Sequence, residues 1–466
     1  MPARFQRFLS IACFTIRWST IRLMMARILV LLGACALSGL SQAPPPAINL
    51  QDAIARAKQY GGQIQSANLA VLQAREDTAQ VRAARLPQVN ALNQYINTQG
   101  NGTPSGVFVA NDGVHVYNEQ AVVHQEVLSL VRHGEMNRAL AAEAIAQARV
   151  QVAARGLNAT VIQNYYAIVG AQRRLKNVRT SVQEAGRFLD ITQKQEQGGE
   201  AAHADVIKAQ IDLAQRQRDF EEAQAAIEKA KIALGVFIFP NFSADFSVVD
   251  DLEQPAPLPP LEQAQAQATA SSPDLKAAQA GIQEAGLEAA VARYQYLPSF
   301  GLDFFYGIDA NQFAITSHET QDTGRSTLPN YQVATRHNLG YVAQATLNIP
   351  VWNWGATRSK VRQAELKRDQ AQIDLTLAQR TLLGNLAAAY AEAQAAGAQL
   401  DSLHGSLDLT AESLRLTLLR YQAGESTALE VVDAQNTLTG ARNAYDDGLA
   451  RYRIAIATLQ TLTGTL

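Results

Sequence analysis

Side chains able to do chemistry are few in this sequence, and the most ordered of them lie in Gly424-Glu-Ser-Thr-Ala-Leu-Glu-Val-Val-Asp-Ala-Gln435. The stretch occurs a second time, loosened, as Gly199-Glu-Ala-Ala-His-Ala-Asp-Val-Ile-Lys-Ala-Gln210. Each copy begins with glycine, the residue that most easily ends one helix and turns into the next. Glu430 and Asp433 are three apart and so share a helix face. Read alone, such a pair is solvated charge and a cap for a turn. Metal ligation has one other candidate, His115, His124 and His133, spaced along a strand-like region. Alternating strand faces and the lack of clustered carboxylates do not assemble a coordination shell there. Cysteine chemistry is confined to Cys13 and Cys35, both in the N-terminal segment. HExxH, phosphate-binding glycine loop and GxSxG patterns are all missing. The residues therefore point to no enzyme and no cofactor.

The elements that would position the acidic stretches are long helices. From about Gly134 to Gln197 the residues Leu175, Val178, Val182, Ala185, Leu189 and Thr192 alternate steps of three and four, as a coiled-coil seam requires. Leu407, Ala411, Leu414, Leu418 and Tyr421 do the same in the second half. At ~1.5 Å per residue such a helix is on the order of 90 Å long, a spacer or a wall rather than part of an ordinary globular core. Return helices follow the two tips, at 204–234 and 428–462.

The chain is an internal duplication. A first helix beginning near Asn49 runs to Leu86-Pro87, where proline stops it, and recurs from Leu261 to Leu297-Pro298. Leu50/Leu261, Ala53/Ala264 and Pro87/Pro298 keep one common offset, and Gly61-Gly62 and Ser272-Pro273 break the two helices at similar places. After each Leu-Pro the texture turns aromatic and β-branched, which predicts strands over 89–98, 114–130, 299–308 and 341–352. Loops rich in Gly, Asn, Thr and Ser join the members of each pair. The organisation expected is residues 1–41 as an export signal, a first repeat over 48–236 with its strand hairpin at about 89–130, a linker over 237–260, and a second repeat over 261–466 with its hairpin at about 299–352.

The signal is read from Arg22 and Arg27 before the apolar run Ile28 to Leu32, with small residues after it. That run is shorter than the ~20 residues of a spanning helix, and translation starting at Met24 or Met25 would suffice for it. Leu32-Gly-Ala-Cys35 is similar to the box of a bacterial lipoprotein, which makes Cys35 a lipidation candidate. Gly39-Leu-Ser41 offers ordinary cleavage before Gln42, and both readings stand. The 466 residues carry a formal net charge of −2, with basic and acidic residues interspersed, so no nucleic-acid partner is indicated.

Strands of about ten residues suit a tilted bilayer crossing, and an open sheet edge cannot be left in lipid. Four strands are too few to close a barrel, whose smallest membrane form has ~8. If they span a membrane, several chains must pool them.

The duplicated order of helix, Leu-Pro, strand hairpin, long helix, glycine tip and return helix resembles the TolC-like outer-membrane efflux proteins over nearly the whole chain after the signal. Its marks are Pro350-Val-Trp-Asn-Trp-Gly355 at the last strand exit, Tyr165 and Tyr390 at matched places in the long helices, and the tip pair Tyr421-Gln-Ala-Gly424 and Glu430-Val-Val-Asp-Ala-Gln435. Ser129-Leu-Val-Arg-His-Gly134 departs, lacking the proline and aromatic. The resemblance implies an α+β membrane protein: a homotrimer whose twelve strands, four per chain, form one outer-membrane β-barrel continuous with a long periplasmic α-helical barrel. It implies an exit duct of a tripartite efflux or type I secretion system, docked to a periplasmic adaptor (membrane fusion protein) and an inner-membrane transporter of RND, ABC or MFS type.

It also implies roles at the tips. Glu430 and Asp433 map to an acidic ring at the periplasmic gate, Asp205 and Tyr421 to a gate tether, and Gly199 and Gly424 to the tips where the adaptor docks. Ser426 stands where some members carry a linking arginine. The rival from another class is a non-conducting periplasmic coiled-coil scaffold or adaptor. An adaptor, however, carries one helix hairpin between lipoyl-like and barrel segments, not a duplicated plan.

Overall fold

The structure is a computed structural model and describes residues 46–97, 115–241, 245–254, 257–311 and 339–466. The segment expected to be a signal, with Cys13 and Cys35, and most of both strand-joining loops lie outside these residues. The chain divides into a small unit, Met1–Ile48 with Asp245–Ser247, and a large unit of everything else. In the small unit the Ser247 N–H donates to the Pro46 carbonyl.

The large unit reads as the same elements twice. In the first half these are α1 (Leu50–Tyr60), α2 (Gly62–Ala83), β1 (Gln88–Asn97), β2 (His115–Leu128), α3 (Leu130–Gln197) and α4 (His203–Ile238). In the second they are α5 (Leu261–Ser271), α6 (Pro273–Tyr294), β3 (Ser299–Asn311), β4 (Leu339–Asn348), α7 (Ala356–Gln422) and α8 (Ala428–Thr463). At ~1.5 Å per residue α3 is about 100 Å long.

The two helix breaks reach one geometry with different residues. Gly61 has φ −64°, ψ 116° and Ser272 φ −61°, ψ 117°. A Cβ at Gly61 would lie 2.5 Å from the Ala57 carbonyl oxygen and 2.8 Å from the Leu157 side chain of α3, so one of them would have to shift. In the second half the Ser272 hydroxyl accepts from the Leu275 N–H and Pro273 takes the first helical position, where a missing N–H costs nothing.

The strand exits differ from expectation. The first strand hairpin ends at Leu128, and α3 begins at Leu130 rather than near Gly134. Ser129 explains this, because its hydroxyl accepts from the Arg132 N–H and starts the helix at once. β4 stops at Asn348, not Trp352. The following residues form a turn with Trp354 at φ 55° and Gly355 at φ 83°, left-handed values that a strand cannot hold.

The four long strands form one antiparallel sheet in the order β1-β2-β3-β4, so the two halves join at β2 and β3. Paired residues share a face. One face carries the row Gln88, His124, Asp303, Gln344 and, beyond it, Glu126, Gly301 and Thr346. The other carries Val89, Val123, Phe304, Ala343 and the row Ala91, Ala121, Tyr306, Tyr341. Phe304 and Tyr341 stack there at 5.8 Å. Asn93, Glu119, Gln125 and the register pair Asn97 and His115 interrupt this second face, and the first face carries the row Asn90, Val122, Phe305 and Val342 beside its polar residues. β1 and β4 each leave one edge without a partner strand among the described residues.

Candidate functional site

Both tips close by the same backbone device. The Glu200 N–H donates to the Gln195 carbonyl at 2.8 Å, and the Glu425 N–H to the Arg420 carbonyl at 2.8 Å. Each bond spans a left-handed glycine, Gly199 at φ 75° and Gly424 at φ 78°. A residue with a Cβ is strained there, which is why glycine opens both repeats.

Beyond the glycine the copies diverge. α8 starts with a capping box: Thr427 Oγ1 accepts from the Glu430 N–H, and Glu430 Oε1 accepts from the Thr427 N–H. Ser426 Oγ adds a donor to Glu430 Oε2 at 2.9 Å, and Arg420 Nη1 stands 3.9 Å from the same oxygen. The Ser426 hydroxyl and then the Thr427 backbone N–H hold the Glu430 carboxyl below the usual glutamate range. Asp433 is exposed one turn on, and its carboxylate makes no hydrogen bond or ion pair among the described residues. The two acids thus differ, one folded back onto the helix start and one facing solvent. α4 has Ala202 before it and no side-chain cap.

Asp205 and Tyr421 do not meet within the chain. The Tyr421 hydroxyl donates to Thr192 Oγ1 at 3.4 Å, and its ring lies edge-on to Phe188 at 5.2 Å. Asp205 lies 3.5 Å from Lys208 Nζ. The reason is packing: Phe188, Leu414, Tyr421, Ala209, Val431 and Leu438 form one apolar cluster drawn from all four helices at the tip. The phenol is pulled into that cluster, away from the exposed start of α4.

Sequence reasoning missed the polar seams above the tip. Ser181 and Thr439 hydrogen-bond at 2.9 Å between α3 and α8, and Arg442 grips Glu184 through both nitrogens at 2.9 and 3.1 Å. Arg216 of α4 reaches Asp212 at 3.2 Å and also donates to Asn436 of α8. Burial outweighs that arginine and raises the Asp212 carboxyl above the usual range.

Higher still, Arg173 binds Asp250 of the connector at 2.6 Å and Asp446 of α8 at 3.0 Å. Although burial opposes its charge, hydrogen bonds to Asp250 and Asp446 raise its pKa. Arg453 donates to Asp251 at 3.0 Å and Tyr165 to the Val249 carbonyl at 2.6 Å. Burial, then the Asp251 charge, pushes the Tyr166 hydroxyl up to about 12. The residues 249–251 are therefore a strap across the long helices. Asp250-Asp251 in the linker was the visible signal, whereas Arg173 is one of eight arginines in α3 and carried none of its own.

The three histidines do not converge. His124 Nδ1 lies 2.6 Å from Asp303 Oδ1 across the sheet, His133 belongs to α3, and the His115 side chain is outside the described set. No group of His, Cys, Asp or Glu among the described residues could hold a metal ion. No described helix is long and apolar enough to cross a membrane.

Paired helical hairpins of this length and an open four-stranded sheet make up the large unit. The sequence matches a family model described as outer membrane efflux protein over residues 51–236 and 265–465. The chain belongs to that family. The outer membrane protein TolC of Vibrio cholerae is 24% identical over 449 residues, 95% of this chain and 96% of that protein. The cobalt-zinc-cadmium resistance protein CzcC of Cupriavidus metallidurans is 24% identical over 336 residues, 72% and 73% of the two chains. Among solved structures the outer-membrane channel OprN superposes with a TM-score of 0.73 at 19% identity, covering 89% of each chain. The outer membrane protein VceC of Vibrio cholerae gives 0.72 at 16% identity, covering 89% of this chain and 96% of that one. The protein is an outer-membrane exit duct of efflux or secretion systems, a passive channel with a large periplasmic portion and not an enzyme.

Proposed function

We propose that three copies of this chain assemble into one duct, their twelve strands closing a single outer-membrane barrel and their helices a periplasmic tunnel. The open sheet carries this reading. Val89, Tyr306 and Tyr341 are 70%, 52% and 72% exposed on its more apolar face, and both sheet edges lack partner strands among the described residues. Unpaired edges are not tolerated in hydrocarbon, and four strands cannot close alone. Trp352 and Trp354, 75% and 89% exposed at the strand exit, suit the aromatic girdle at a membrane surface.

Exposed Ile207 and Ile211 on α4, Ile373 and Leu377 on α7, and Leu409 and Leu416 further along α7 form pairs spaced by four, four and seven residues. Such pairs are the seams a neighbouring copy would cover. At the periplasmic end Glu430 and Asp433, repeated three times, form an acidic constriction that attracts cations and repels anions. The tips at Gly199 and Gly424 dock a periplasmic adaptor, which couples the duct to an inner-membrane transporter of RND, ABC or MFS type.

The test is reconstitution of the full chain from outer membranes into planar bilayers. A heat-modifiable trimer with ion conductance, blocked by divalent or trivalent cations from the periplasmic side, is the expected result. A non-conducting soluble protein would establish the scaffold instead.

A further inference from the structure

The more polar face of the sheet carries a charge-bearing pair that the tip does not explain. His124 of β2 and Asp303 of β3 are register partners, with Nδ1 2.6 Å from Oδ1. An ionised carboxylate only accepts, so Nδ1–H donates and Nε2 is left to take up or release a proton. Gly301 lies beside the ring, where a Cβ would make only an ordinary contact, 3.6 Å from His124 Cε1. The row is completed by Gln88 and Gln344, which carry no charge. Other hydrogen bonds on this face, Asn118 with Gln94 and Gln344 with Thr346, are also between polar side chains.

The charged groups near the pair are few. On β2, Glu126 shares the face and pairs at 2.9 Å with Arg132 of α3, which also lies 3.7 Å from Glu135; on β3, Asp309 shares the face by register, six residues from Asp303. β1 and β4 offer His124 no charged side chain on this face among the described residues. Asp303 is therefore the charge that His124 answers. Both groups remain reachable by water, with side chains 46% and 22% exposed.

We propose that the His124–Asp303 pair is a charge filter in the barrel lumen. This rests on the closed-barrel reading above, under which the more apolar face meets lipid and the more polar face lines the pore. A titratable pair on the lipid face would be costly. With imidazole neutral, the pair contributes one negative charge per chain to the lumen. Uptake of a proton at Nε2 turns the pair into a neutral ion pair, and the lumen loses its preference for cations. Imidazole is the side chain that ordinarily changes charge between about pH 5 and 8.

The test is the K⁺/Cl⁻ permeability ratio from reversal potentials of the reconstituted full chain. Salt near 0.1 M keeps the screening length at about 10 Å, and readings at about pH 8 and about pH 5 span the imidazole range. For the natural sequence the ratio should fall about twofold or more on acidification, as a ring of lumen charge is lost. His124→Gln keeps a donor for Asp303 but cannot charge, so it should hold the high ratio at both pH values. Asp303→Asn should give the low ratio at about pH 8 and a still lower one at about pH 5, where a protonated His124 has no carboxylate beside it. Other histidines, including His203 and His404, are unchanged in these variants and control for their own titration.

A His124→Gln channel whose ratio falls as far as the natural one overturns the filter while leaving the barrel intact. If either variant fails to assemble, His124→Cys read by a water-soluble sulfonated thiol reagent decides, with the unsubstituted protein as baseline. Labelling that raises the ratio supports the filter; no labelling from water overturns its lumen position. Absence of any conducting natural channel overturns the barrel reading and the filter with it.

Discussion

At the residue scale, the two tip carboxylates are chemically unequal. Glu430 accepts from Ser426 and Thr427 and has Arg420 nearby, whereas Asp433 points to solvent without a described partner. Asp433→Asn should therefore remove more of the cation block than Glu430→Gln, measured as block of single-channel current by divalent or trivalent cations. Equal losses would mean that assembly rearranges the capping box. The pH sign follows from the depressed Glu430 carboxyl: its capping contribution is complete above the unfolded glutamate value and is lost as pH falls through the lower folded value. In an Asp433→Asn channel the residual block should persist on acidification past about pH 4.3, where an ordinary glutamate is half protonated. Ser426→Ala, which removes the leading donor, should move the loss of block to higher pH. Ser426 stands where the family resemblance expects a linking arginine in some members, and in this chain its hydroxyl donates to Glu430.

At the element scale, what holds the hairpins together differs along their length. Near the tip it is apolar: Phe188 is 1% exposed and packs on Tyr421 and Leu414. Phe188→Ala should cost about 3–5 kcal/mol locally, read as faster amide exchange in α3 and α7 near the tip with the sheet unaffected. Midway it is ionic. Arg173 holds the connector through Asp250 and α8 through Asp446, and its removal leaves acids facing each other across a half-buried seam. Arg173→Ala should cost on the order of 2–3 kcal/mol, less than a fully buried pair because Asp250 is 38% exposed. The check is faster proteolysis within 249–254. Arg173→Lys should rescue little, since an ammonium cannot match the guanidinium fork.

At the scale of the whole molecule, the sheet is half of an interface. A lone chain leaves alternate amides on the outer edges of β1 and β4 without partners, while a closed barrel pairs them all. Amide exchange in detergent should therefore be slow at successive residues of Leu339–Asn348 in the assembled duct. Alternating fast and slow residues there would refute closure through this edge. In the proposed trimer the apolar residues of β4 and α7 that are exposed in one chain would be covered by other copies.

The sequence by itself determined the duplication, the strand hairpins and the two tips. These depend on local causes: proline stops, heptad spacing, and glycines that alone adopt φ near 75° to 78°. It also placed the helix breaks, though through Gly61 in one half and Ser272-Pro273 in the other. It misjudged the exits at Ser129 and Trp354, where a single cap or one left-handed residue moves a boundary. Only the tertiary structure decided which side chains answer one another. Tyr421 turns to Thr192 rather than Asp205, Arg173 to Asp250 and Asp446, and His124 to Asp303. Each of these pairs joins residues far apart in the chain, and their meeting depends on helix rotation and strand register. Spacing along a sequence does not encode either quantity. The acidic tip was legible as a motif, but the inequality of Glu430 and Asp433 appeared only once the capping box was in place.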